Sequence, residues 1–125
     1  MGQCCSCGSS GVKLIYSCSG AANTGYLADS VSRKLMMDGK GKMTCLAGIG
    51  ADLAGFIESA KCADKNILID GCTVSCGKLI FEKNNLPFEH FILTNYGVEK
   101  GKTEITIELI EDIANKIADA IKTIG

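Results

Sequence analysis

Short apolar, β-branched runs alternate with helix-periodic segments along this chain, and that alternation limits its fold more than any other feature. Residues 12–16 (VKLIY) are the first run. Leu27, Val31 and Leu35 then recur every four residues, which is the face of an amphipathic helix. Gly39, just past Met37 and Asp38, suits the end of that helix. Residues 43–46 form a second, short strand candidate, followed by a glycine-containing turn over 47–51. Asp52 is placed to cap a helix whose face is Leu53, Phe56, Ile57 and Ala60. Residues 66–70 (NILID) are the third strand, with the continuous apolar centre of a strand covered on both faces. Ser75 is a candidate cap for a helix over 76–84, and residues 88–93 are the fourth strand. Residues 99–103 (EKGKT) are polar and expected to be mobile. Ile107, Ile110, Ile113, Ile117, Ile121 and Ile124 mark a long amphipathic helix.

Strand and helix alternating at this spacing imply βαβ units and a parallel sheet. Right-handed crossovers put helices on both of its faces. The expected fold is therefore a small doubly wound, Rossmann-like, three-layer α/β domain with a mostly parallel four-stranded sheet. Its expected strand order is 2-1-3-4, so strands 1 and 3 flank the switch point where a crevice opens. A chain of 125 residues fits one domain. That size buries roughly two thirds of the unfolded surface, so no disulfide is needed to fold.

Charge excludes some partners. Thirteen basic residues nearly balance fourteen acidic ones, for a net of −1, so bulk charge points to neither nucleic acid nor an anionic membrane. No run of about 18 apolar residues suggests a spanning helix. No basic segment leading into an apolar one suggests a secretory signal. Eight cysteines are then expected in a reducing cytoplasm, where clustered thiols bind metal or do redox chemistry rather than form disulfides.

Three of those cysteines are evenly placed. Cys18, Cys45 and Cys72 stand 27 residues apart, and Cys76 follows one helical turn later. The first three lie at or just past strand ends, and adjacent strands are about 4.8 Å apart. Order 2-1-3 makes their strands neighbours, while positions i and i+4 put Cys72 and Cys76 on one face. Four thiols can therefore gather at the carboxyl edge of the sheet. Zn²⁺ takes such a tetrahedral set, with sulfur at about 2.3 Å. The resulting charge of about −2 needs an offset. The helix start near Cys76 and the turns at 19–25 and 48–50 can supply N–H groups for it. Four protein ligands leave no open position, so such a site serves structure, storage, transfer or sensing rather than hydrolysis.

Two rivals use the same sulfurs. One is a thiol–disulfide or oxyanion-reducing enzyme, with Cys76 activated at a helix start and Cys72 resolving. The other is an Fe–S cluster carrier. Spacing does not choose among the three.

The run Tyr16-Ser17-Cys18-Ser19-Gly20-Ala21-Ala22-Asn23-Thr24-Gly25 resembles the opening motif of the DGC-domain family of zinc-binding proteins. Cys45-Leu46-Ala47-Gly48-Ile49-Gly50 resembles its second motif, and Asp70-Gly71-Cys72 is the tripeptide that names it. The likeness covers roughly residues 12 to 100. It implies zinc held by four cysteines, which map to Cys18, Cys45, Cys72 and Cys76. It implies no particular activity. Residues 1–11 are accordingly read as a flexible Cys/Ser/Gly-rich tail, and 12–125 as a single metal-binding domain.

Other signals carry less. Cys4, Cys5 and Cys7 lie in the tail, where reactive thiols on a disordered segment are the plain reading. The first six residues fit a degenerate lipidation pattern that is set aside. Cys18 before a glycine-containing turn is similar to a phosphatase loop, but Thr24 stands where an arginine would bind the oxyanion. Gly48-Ile49-Gly50 lacks the third glycine of a dinucleotide fingerprint. Asp70 is expected either to orient a ligand or to hold the turn at Gly71. Asn23 and Thr24 are read as hydrogen-bond partners of a cysteine sulfur or as caps of the first helix. His90 reads as a strand side chain, Cys62 as a packing or surface thiol on the opposite edge, and Tyr96 as a candidate wall of the crevice.

Overall fold

A computed structural model describes residues 11–124 of the chain. The expected tail, apart from Gly11, lies outside the described residues. The strands are β1 (Lys13–Ser17), β2 (Lys42–Met43), β3 (Lys65–Asp70) and β4 (Glu89–Ile92). All pair in parallel, in the expected order β2-β1-β3-β4. The helices are α1 (Asn23–Met37), α2 (Leu46–Gly50), α3 (Ala54–Cys62), α4 (Cys76–Lys83) and α5 (Ile107–Ile124). A 3-10 turn, Leu93–Tyr96, follows β4.

Alternation along the strands sorts the core into two halves. Ile15, Ile67, Ile69 and Phe91 face Leu27, Val31 and Leu35 of α1 and Ile113, Ile117 and Ile121 of α5. Leu14, Tyr16 and Leu68 face Ile49 of α2, Ala60 of α3 and Phe81 of α4. β3 is buried from Asn66 to Asp70, as its apolar run requires. Each buried Leu or Ile contributes about 1.5–3 kcal/mol. Among the described residues no helix is long and apolar enough to cross a membrane.

Three helices end by the same device. After α1 the Gly39 N–H bonds Met36 O at 3.0 Å and the Lys40 N–H bonds Leu35 O at 2.9 Å. This pair of bonds, closed by a left-handed residue, is the Schellman motif. Asp52 closes α2 in the same way and Asn85 closes α4, with φ of 61° and 55°.

That corrects the reading of Asp52. It ends α2 rather than capping α3, whose N-cap is Leu53 with no side-chain bond. The second correction is α2 itself, a short helix where a turn was expected over 47–51. β2 is accordingly shorter and stops at Met43. Gly48 explains the helix, because a Cβ there would stand 2.4 Å from the Phe56 ring. Bare backbone at Gly48 lets α2 lie against α3.

Residues 99–103, expected to be mobile, are tied to α1. Asn23 Nδ2 donates to Glu99 O at 3.1 Å and to Thr103 O at 2.8 Å, and Asn23 Oδ1 accepts from Gly101 N–H at 2.7 Å.

Candidate functional site

Cys18 leaves β1 with its N–H still bonded to Ile69 O at 3.1 Å, so the sheet ladder fixes its backbone. Its Sγ accepts the Gly71 N–H at 3.1 Å. Gly71 sits against the first turn of α1, where a Cβ would meet Thr24 O at 2.5 Å. Only glycine permits that approach, which joins the loop after β3 to the loop after β1.

Cys45 is the N-cap of α2, and its Sγ accepts the Gly48 N–H at 3.3 Å in the role usually played by an oxygen. Cys72 follows Gly71, with Lys100 Nζ 3.6 Å from its Sγ. Cys76 is the first residue of α4. Cys18 and Cys72 are partly buried, while Cys45 and Cys76 are exposed, and all four are free thiols.

These four cysteines line one open cleft of about 570 Å³ at the carboxyl edge of the sheet. Met43, Leu46, Val74 and Ile80 supply apolar wall, and Lys100 supplies a cation. Burial pushes the Cys18 thiol above its ordinary value; the Gly71 bond pulls it down, and charge on Asp70, Cys72 and Cys76 pushes it up. Among the described residues, no three His, Cys, Asp or Glu side chains stand close enough together to hold a metal ion as they are. The thiols thus share a space without forming a ligand shell.

Asp70 proves to be the cap of α4. Its Oδ1 accepts the Gly77 N–H at 2.9 Å and its Oδ2 the Lys78 N–H at 3.1 Å. Ser75, the expected cap, is left-handed (φ 57°) and makes no side-chain cap bond. His90, read as an ordinary strand side chain, places Nε2 2.7 Å from Asp70 Oδ2. The strand order was a signal for this contact, since strand 4 lies beside strand 3. Lys100 was missed: nothing in the sequence ties it to Cys72, and Asn23 brings it there. Tyr96 packs on the α1–α5 side of the core rather than lining the cleft. Cys62 ends α3 and is disulfide-bonded, which corrects its reading as a packing or surface thiol.

The sequence model of the DGC domain matches residues 14–117. The chain belongs to the DGC-domain family. The match runs past the resemblance noted over residues 12 to 100 and into α5. A relative, the anaerobic and virulence modulator AnvM of Pseudomonas aeruginosa, is 30% identical over 88 residues, covering 70% of this chain and 67% of AnvM. No solved structure matches the chain. In this DGC domain each letter of the naming tripeptide has a physical task. Asp70 caps α4, Gly71 allows close contact with α1, and Cys72 lines the cleft.

Proposed function

We propose that this DGC domain binds Zn²⁺ through Cys18, Cys45, Cys72 and Cys76, in metal storage, transfer or sensing. The observation that carries the reading is the shared cleft: all four free thiols among the described residues line it. The donor set is soft, as zinc prefers. Two sulfurs already accept backbone N–H bonds, and Lys100 stands beside a third, so charge on thiolates is partly offset. Zinc held there would supply a closed, redox-inert centre. The exposed thiols of Cys45 and Cys76 would close on the ion as it enters, which suits a site that loads and releases. AnvM is named a modulator, which favours the sensing form of this reading. The proposed setting is the cytoplasm, with a metal ion as partner and neither nucleic acid nor membrane.

Metal analysis of protein purified without added zinc tests this. About one zinc per chain is expected; metal on less than about a tenth of chains would overturn it, given how tightly four-thiolate sites bind.

A second reading is a thiol–disulfide or oxyanion-reducing enzyme using Cys72 and Cys76. It is favoured by the exposed position of Cys76 at the first residue of α4, four residues after Cys72 and in the same cleft. Thiol counts separate the two readings. Reactivity that rises with a chelator marks metal ligands, and reactivity that rises with a reductant marks a redox pair.

A further inference from the structure

Asp70 is 1% exposed, and a buried carboxylate needs its acceptor sites filled. Its bonds to Gly77 and Lys78 go to the backbone of the first turn of α4, where negative charge also meets the helix dipole. An ionised carboxylate only accepts, so with Asp70 in that form His90 Nε2–H donates to Oδ2 across the remaining 2.7 Å contact. Cys72 lies two residues after Asp70, and Cys76 immediately precedes Gly77. The carboxylate therefore spans the segment that carries both thiols, fastening the end of β3 to the start of α4. Within that segment Ser75 is left-handed, a conformation L residues avoid, and the Ser75 N–H bonds Cys72 O at 3.1 Å. Nothing else in the side chains caps α4. His90 comes from β4, the strand beside β3, and holds the carboxylate from the other flank.

We infer that Asp70 and His90 are positioning residues for the Cys72 and Cys76 thiols, an inference that rests on the zinc reading of the cleft. Neither lines the cleft. His90 fixes Asp70, and Asp70 fixes the turn that sets the distance between the two sulfurs.

The test uses the full chain and the variants Asp70→Asn, His90→Phe and His90→Gln, the last keeping an N–H donor near the place of Nε2. In metal-free protein, phenylarsine oxide bridges Cys72 to Cys76, read by mass spectrometry of the peptide that holds both. Alkylation of Cys45 in the same chains is the internal control. Asp70→Asn and His90→Phe should slow bridging several-fold and leave Cys45 unchanged, with His90→Gln near wild type. Zinc affinity, by competition with a chromophoric chelator, should fall about 10- to 100-fold in the first two variants. Wild-type bridging and affinity in both variants would overturn the inference. So would an equal change at Cys45, or a loss in His90→Gln as large as in His90→Phe, since either means general destabilisation. If wild-type protein takes no zinc yet bridging responds as described, the zinc reading fails and the positioning role stands.

Discussion

Asn23, the first residue of α1, accepts the Gly101 N–H on its side-chain oxygen at 2.7 Å, and so holds the segment that puts Lys100 beside Cys72. Two further bonds run from its amide nitrogen to Glu99 O and Thr103 O. Asn23→Ala removes all three. At about 1 kcal/mol each, partly overlapping, amide exchange over residues 99–103 should rise by about tenfold or more. Hydrogen-exchange mass spectrometry of that peptide is the check, and unchanged protection would show that the clamp contributes nothing.

Gly71→Ala should cost about 1–3 kcal/mol, the range for overpacking, because the new methyl meets the Thr24 carbonyl at 2.5 Å. Urea unfolding measures it. The same variant should disturb the Gly71 N–H bond to Cys18 Sγ, so Cys18 alkylation should change while Cys45 alkylation does not.

Burial holds the Tyr16 phenol well above its ordinary value. A raised folded-state pKa means the fold favours the neutral phenol. Stability from this group is complete below about pH 10, the unfolded value, and is lost as pH climbs beyond it. Melting temperature should therefore drop between pH 9 and 11 (about one unit either side of the free phenol). Tyr16→Phe should show a smaller drop, after an initial loss of about 1 kcal/mol from the bond to Asn66 Oδ1. Equal slopes for the two proteins would refute the assignment.

If zinc occupies the cleft, each single Cys→Ser change at Cys18, Cys45, Cys72 or Cys76 removes one of four thiolates. A quarter of the roughly 10–16 kcal/mol of such sites predicts affinity losses of about a hundredfold or more. Chelator competition measures this, and wild-type affinity in all four variants would refute it.

The fold was largely legible. The buried run of β3 and the period of α1 and α5 each obey a single rule, and βαβ chirality does the rest. Legibility failed where short-range bonding beat periodicity. Asp52 looked like a helix start because aspartate favours caps, but the Schellman bonds of α2 had already claimed it. α2 looked like a turn because of its glycines, whereas Gly48 is there for Phe56. At the site, Cys18, Cys45 and Cys72 each follow a strand end and line one cleft, yet among the described residues no three ligands stand together there. Strand order hinted at the Asp70–His90 contact, whereas the Lys100–Cys72 contact depends on side-chain reach across elements that spacing does not encode.

Cys18, Cys45 and Cys72 stand on three different strand-to-helix connections of the sheet. Any ligand gripping all three becomes a clasp between units far apart along the chain. Loading and folding are then coupled equilibria: the filled cleft resists unfolding, and loosening β1 from β3 releases the cargo.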